Sequence, residues 1–243
     1  MTYALNYLKR APLRHFSKEE PLGKPMRLKN PPEARTIHVA RRRKPDGTTS
    51  VLKPALYNAK IGRSVKKGVW KGFPIYSLTL EERATCWNGC PQWSVCYGNK
   101  MHLAHRFEHG PDLVARLDLE LAALQKKHPK GFVVRLHILG DFYSVEYVHK
   151  WADFLKRYPA LHIYGYTGRQ PSSDIGKAVA ETRETFFFRF RIRFSGHETR
   201  TIPAFDPDAG LLCPAQTSSS ENCGTCTLCW SLPFDRVISF ILH

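Results

Sequence analysis

Strand-like and helix-like segments alternate along residues 72–194, and no other feature of the sequence narrows the fold as much. Ile75-Tyr76-Ser77-Leu78-Thr79-Leu80 alternates as a half-buried strand does. Met101 to Lys127 reads as a helix, because Leu113, Leu117, Leu121 and Leu124 recur on one face, and His128-Pro129-Lys130-Gly131 stops it. Phe132 to Leu139 predicts a second strand ending at Gly140-Asp141, and Ser144 predicts the N-cap of a helix reaching Arg157-Tyr158-Pro159. Leu161 to Tyr166 predicts a third strand ending at Thr167-Gly168-Arg169, and Ser172 or Ser173 caps a helix through Thr182. Phe186 to Phe194 alternates apolar residues with Arg like a strand, Ser195 follows it, and Val237 to Leu242 predicts a last strand. Such alternation with short connections favours a parallel sheet with right-handed crossovers. About four or five β-α units fit, fewer than the eight of a complete barrel. The expected fold class is therefore α/β, an open or partial (β/α) barrel over residues 71–205. In parallel sheets of this kind the chemistry collects at the carboxyl ends of the strands.

Charge separates the rest of the chain from this core. The net charge is +16, yet residues 1–70 hold 17 Lys and Arg against 4 acids, a net +13. That segment also carries Arg41-Arg42-Arg43-Lys44 in a row and prolines at 12, 21, 25, 31, 32, 45 and 54, a composition poor at forming a packed core. It reads as a basic N-terminal arm that contacts nucleic acid through its phosphates, or as a solvated extension. Residues 48–70 contain short apolar stretches that suit a hairpin or a segment lying on the main domain. No apolar run is long enough to span a membrane, and residues 1–16 have no apolar leader core, so a cytoplasmic protein without membrane contact is expected.

Seven cysteines fall into two groups. Cys86, Cys90 and Cys96 follow the first predicted strand as C-x3-C-x5-C, and Cys213, Cys223, Cys226 and Cys229 form C-x9-C-x2-C-x2-C in a Cys-rich tail, residues 206–243. An odd total in a chain of cytosolic character argues for metal ligation rather than a disulfide framework. The tail group has the four soft ligands of a zinc site or a [4Fe–4S] cluster, and spacing does not choose between them. Gly224 suits a tight turn between its ligands. The first group has three thiols; either His102 or His105 completes a zinc site, or a cubane cluster keeps one iron open to an exogenous ligand.

These motifs resemble the radical S-adenosylmethionine enzymes, in which a three-Cys loop after the first barrel strand holds a [4Fe–4S] cluster and the cofactor's amino acid part chelates the open iron. Cys86, Cys90 and Cys96 match that loop, with Tyr97 where an aromatic is usual. Leu136 to Asp141 resembles the second strand and its Gly-acid ending, which implies that Gly140 and Asp141 hold the cofactor's amino group. Thr167, Arg169 and Ser195 end the third and fourth strands where family members contact ribose and carboxylate. The tail resembles the extra-cluster segments of several branches. More narrowly, the paired cysteine pattern resembles phage-borne gene product eighty-eight type proteins. The resemblance covers about residues 72–242 and departs from the superfamily in its C-x3-C-x5-C spacing, where C-x3-C-x2-C is usual. It implies cofactor cleavage, hydrogen abstraction from a substrate, and an electron donor such as a flavodoxin or ferredoxin.

Other readings of the same residues stand beside this one. Asp141 is also a plausible N-cap neighbour for the next helix. Arg189, Arg191 and Arg193 alternate on one strand, either lining an interior that binds carboxylate or phosphate or facing solvent. His137 and His162 read as structural imidazoles, and Trp87, Trp93 and Trp230 as shields for the cysteine groups. The competing classes are a metal-stapled nucleic-acid-binding protein without catalysis and an electron-transfer iron–sulfur protein.

Overall fold

The computed structural model describes residues 36–242 except 91, 94, 95, 205 and 207–209; the part of the expected basic arm before residue 36 lies outside the described residues. In chain order the strands are β1 (Arg42–Arg43), β2 (Lys53–Pro54), β3 (Ile75–Ser77), β4 (Arg106–Phe107), β5 (Phe132–Leu136), β6 (Leu161–Thr167), β7 (Phe190–Phe194), β8 (Thr199–Ile202), β9 (Leu211–Leu212) and β10 (Ile238–Ile241). The helices are α1 (Glu82–Thr85), α2 (Pro111–Lys127), α3 (Val145–Arg157), α4 (Asp174–Thr185), α5 (Cys223–Cys226) and α6 (Leu228–Ser231).

The central sheet runs β2-β3-β5-β6-β7. Strands β3, β5, β6 and β7 are parallel and adjacent in sequence order, whereas β2 pairs antiparallel with β3. With β2 and β7 at its two edges the sheet is open, so the fold is mixed α/β with no closed barrel. Right-handed crossovers between neighbours that advance in one direction put every crossover helix on the same face. The core bears this out: Leu113, Leu117 and Leu121 of α2, Trp151, Phe154 and Leu155 of α3, and Val179 of α4 form one cluster with Val134, Leu136, Ile163 and Ile192. Alternation along the strands sends Ile75, Val133 and Tyr164 to the opposite face, where they pack with Ala55, Ile61, Val65 and Trp70 and with Cys213, Cys229, Trp230 and Ile238 of the tail. The cysteine tail thus covers the sheet face that the helices leave bare.

Several element boundaries follow local chemistry. Ser144 caps α3 by accepting from the Tyr147 N–H at 3.1 Å, and Ser173 caps α4 by accepting from Gly176 at 3.1 Å. The α2 helix starts at Pro111, not at Met101: Gly110 has φ +129°, Pro111 takes the first helical position, and the preceding residues instead form β4, whose Arg106 is fully buried. The fourth strand likewise starts at Phe190, after a turn over 186–189. A second parallel sheet, β8-β10-β9, is built from strands of two to four residues after the core.

Residues 51–70, at the end of the stretch expected as a basic arm, lie on the main domain, one of the two arrangements their apolar stretches suit. Val51, Leu52, Ala55, Ile61, Val65 and Trp70 are core residues. Arg42 pairs with Glu81 at 2.7 Å and Glu108 at 3.2 Å, while Arg41 donates to the His102 carbonyl at 3.1 Å and Arg43 to that of Ala40 at 2.9 Å. Three of the four consecutive cations are therefore engaged within the fold. No helix of the described residues is long and apolar enough to cross a membrane.

Candidate metal centres

Past β3 the chain stays extended to Leu80 and then turns through α1 into Cys86. Two acids at this turn face inward. Glu82 forms an ion pair with Arg106 at 3.0 Å, both essentially without solvent, and accepts from the Thr36 hydroxyl at 2.8 Å. Arg106 also donates to the carbonyls of Gly98 at 2.8 Å, Ala104 at 2.8 Å and Met101 at 3.1 Å. One guanidinium thereby ties the far end of the cysteine loop to its beginning. Arg83 does the same nearer the thiols, donating to the Trp93 carbonyl at 2.8 Å and the Asn99 side chain at 3.0 Å, with its guanidinium 4.5 Å from the centre of the Trp93 ring. Both buried cations are thus fully matched, which the cost of burying a charge demands.

The three thiols of the loop act on one another. Burial pushes the Cys86 thiol well up, and the neighbouring Asp141, Cys90 and Cys96 push it further. Burial likewise raises Cys90 and Cys96, while the Gln92 N–H facing the Cys90 sulfur, the Gly98 N–H facing Cys96, and Arg83 favour the thiolates. Gly98 has little room for a side chain, since a Cβ there would lie 2.8 Å from Leu139 Cδ2 and 3.3 Å from Cys96 Sγ. His102 and His105 are not among the charged groups that act most strongly on these thiols: His102 is exposed and bonded to the Lys100 carbonyl at 3.2 Å, and His105 packs against Phe107.

Gly140, Asp141, Thr167 and Arg169 come together beside this loop, at the carboxyl ends of β5 and β6. Asp141 accepts from the Phe142 N–H at 2.7 Å and the Gly168 N–H at 2.8 Å, with Thr167 as a further side-chain partner, and its own N–H donates to Thr85 Oγ1 at 3.3 Å. Burial raises its carboxyl while these donors and Arg169 pull it down. Arg169 donates to the carbonyls of Phe142 and Thr85, both at 2.8 Å. Gly140 has φ +84°, and a Cβ there would stand 2.6 Å from Thr85 Oγ1, so both conformation and space require glycine. These residues form a clamp that locks two strand ends to Thr85, the residue before Cys86. Ser195 joins only through its backbone N–H to Thr167 O at 2.8 Å, and its side chain is exposed.

The tail builds a second group. Cys213, Cys223, Cys226 and Cys229 line one small cavity together with Thr227, Leu228, Trp230 and Ile238. Asn222 caps α5 by accepting from the Thr225 N–H at 3.0 Å, and Thr227, at φ 66°, turns the chain from α5 into α6. This left-handed residue costs about 1 kcal/mol or more, a strain that the surrounding structure must hold in place. Gly224 serves a close approach and not a left-handed turn: a Cβ there would meet the Ser64 carbonyl at 2.3 Å. Backbone bonds dock the segment on residues 60–66, with Cys223 N–H to Lys60 O at 2.9 Å and Lys66 N–H to Gly224 O at 2.8 Å. Burial pushes the Cys229 thiol up to about 12 and Cys223 up to about 11. The Leu228 N–H faces the Cys226 sulfur.

Arg191 and Arg193 anchor this tail through its backbone carbonyls. Arg193 is fully buried and donates to the carbonyls of Cys229, Leu232, Pro233 and Arg236 at 2.9–3.1 Å; Arg191 donates to those of Trp230 and Leu232 at 2.9 and 2.7 Å. Both cap the carbonyl end of α6, where a cation is favoured. Arg189 precedes β7 and turns the other way, donating to Leu155 O at 2.9 Å behind α3. Trp230 stacks on Trp70, with ring centres 5.6 Å apart, which shields the tail cysteines from one side.

Among the described residues no group of three or more His, Cys, Asp or Glu side chains is gathered closely enough to hold a single ion. The donor chemistry nonetheless fits a thiophilic centre at each group: soft sulfurs, an apolar wall, and backbone N–H groups aimed at Cys90, Cys96 and Cys226, each from the residue two positions on. A bound cation reverses the burial penalty, because a coordinating thiol gives up its proton. Glu82, Arg83 and Arg106 were not singled out in the sequence. The available signal was Glu and Arg on either side of a cysteine loop, too common to be distinctive.

An open, parallel α/β sheet with a three-cysteine loop at the end of its first parallel strand defines the class of protein. Residues 52–199 match the family model described as Gene product 88, and the chain belongs to that family of phage proteins. The match takes in the Cys86 loop and the parallel sheet and ends before the tail cysteines. No curated protein and no solved structure matches the chain.

Proposed function

We propose that this chain is an iron–sulfur protein of radical S-adenosylmethionine type, with an open cluster on Cys86, Cys90 and Cys96 and a second metal centre on the four tail cysteines. The observation that carries the proposal is the placement of a three-cysteine loop after the first parallel strand of a sheet whose strands advance in sequence order, with the Asp141 clamp at the next strand end. Three protein sulfurs on a four-iron cluster leave one iron for an outside ligand, the arrangement that separates a reactive centre from a structural one. When bound there, S-adenosylmethionine supplies one-electron reductive cleavage and, from it, hydrogen abstraction from a substrate. A low-potential donor of the flavodoxin or ferredoxin kind supplies the electron.

The chain's own residues position and shield. Arg106 and Glu82 fix the ends of the loop, and Arg83 with Trp93 closes its middle. Asp141, Thr167 and Arg169, bonded to one another and to backbone, hold Thr85 and Cys86 in place, and with Gly140 and Ser195 they are the residues that would hold the cofactor.

The test is a turnover assay on the full chain, reconstituted anaerobically with iron and sulfide and reduced with dithionite. The expected products from S-adenosylmethionine are 5′-deoxyadenosine and methionine, abolished in Cys86→Ala. Protein that holds iron on the first group and forms neither product contradicts the enzymatic reading; zinc in both groups contradicts the iron reading.

A further inference from the structure

The tail cysteines are met by two phenols from the sheet. Tyr164 and Tyr166 lie two residues apart on β6, so their side chains share the face that the tail covers. The Tyr166 hydroxyl donates to Cys229 Sγ at 2.6 Å. Tyr164 is 1% exposed and its hydroxyl has no hydrogen-bond partner among the described residues; burial pushes this phenol well up, and Cys223 and Cys229 push it further. Arg135 on the adjacent strand β5 sits over both rings, its guanidinium carbon 4.7 Å from the centre of Tyr166 and 5.5 Å from that of Tyr164. Bonds to the carbonyls of Leu136 and His137 hold it there. Trp230 closes the other side of Tyr164, with ring centres 4.4 Å apart. Two of the four tail sulfurs thus face a donor, Cys229 the Tyr166 hydroxyl and Cys226 the Leu228 N–H.

A hydrogen bond to a ligating sulfur draws negative charge from it and so favours the electron-richer, reduced state of an iron–sulfur centre. A cation over the ring of the donating phenol makes that phenol a stronger donor. Zinc has no second oxidation state to adjust. We infer that the tail cysteines hold an electron-carrying iron–sulfur centre whose potential is raised by the Tyr166 hydrogen bond to Cys229, with Arg135 positioning both phenols. The centre takes up one electron from a low-potential one-electron donor and passes it to a one-electron acceptor of higher potential; no covalent bond forms or breaks. This rests on the iron reading of the tail and not on the S-adenosylmethionine part of the proposed function.

The test is a dithionite redox titration of the reconstituted full chain followed by EPR, with the Cys86→Ala variant used to assign the tail signal. Tyr166→Phe is expected to keep the tail iron and the melting temperature while moving the tail potential to more negative values, and to leave the signal of the Cys86 group where it was. Arg135→Met keeps both phenols and is expected to shift the tail potential the same way by less, which keeps the test decisive if Tyr166→Phe sheds iron. A tail potential unchanged in both variants overturns the tuning role. Zinc in the tail of the wild-type chain overturns the electron-carrying centre while the Cys86 proposal stands.

Discussion

Arg106 and Glu82 form an ion pair 3.0 Å long in which neither side chain meets solvent, directly beneath the three-cysteine loop. Removing one partner from such a pair leaves an uncompensated buried charge and costs about 3–5 kcal/mol. Arg106→Met is therefore expected to lower the denaturant midpoint by that equivalent. It also frees the carbonyls of Gly98, Met101 and Ala104, so cleavage within 96–105 by added protease should speed up first.

Gly140→Ala places a Cβ against Thr85 Oγ1 and Leu80 at a backbone angle that L residues seldom adopt. A cost of about 1–3 kcal/mol in chemical denaturation is expected. Because the displaced neighbour is Thr85, iron uptake by the Cys86 group should fall while the tail's uptake is unchanged.

Arg193→Met removes the cation that holds four carbonyls around the end of α6. Bonds sharing one charged donor are not additive, and a single substitution seldom costs more than about 4–5 kcal/mol, so a loss of roughly 3–5 kcal/mol in all is expected. The parallel sheet does not depend on this contact. Limited proteolysis should then release the tail and leave residues 71–194 protected.

Buried His137 gives the fold a pH dependence. Burial holds its imidazole down to about 3, below the ordinary value, while the Tyr147 hydroxyl bonds its Nε2 at 3.2 Å. Between about 6.5 and 3 the unfolded chain binds a proton that the folded chain does not, so this contribution is intact above 6.5 and is lost as pH falls. From pH 8 to pH 5 the expected loss is about 2 kcal/mol. Denaturation curves at the two pH values should show a smaller difference in His137→Gln.

Local signals carried the core of the fold. The leucines at 113, 117 and 121 face the sheet in α2, and Ser144 and Ser173 cap the two helices that follow. Each of these elements is long enough for its periodicity to count, or is marked by a cap. The second sheet was largely hidden, since β8 and β9 have too few residues to display a period and only β10 had an apolar run to mark it. The packing of residues 51–70 was marked only by short apolar stretches, because Val51, Ile61, Val65 and Trp70 are scattered among lysines and other polar residues. At the candidate site the cysteines and the strand-end residues stood out by type and position. What joins them did not, because Arg169 to Thr85 and Tyr166 to Cys229 are contacts 84 and 63 residues apart in the chain. Arg189, Arg191 and Arg193 show the same limit, as their alternation gave no sign that their partners are backbone carbonyls.

The most direct test of the central claim is EPR of the anaerobically reconstituted, dithionite-reduced full chain before and after adding S-adenosylmethionine, with Cys86→Ala as control. The account predicts a reduced four-iron signal from the Cys86, Cys90 and Cys96 group that changes shape when S-adenosylmethionine is added and is missing from the control. A reduced cluster on that group whose signal is the same with and without S-adenosylmethionine contradicts it.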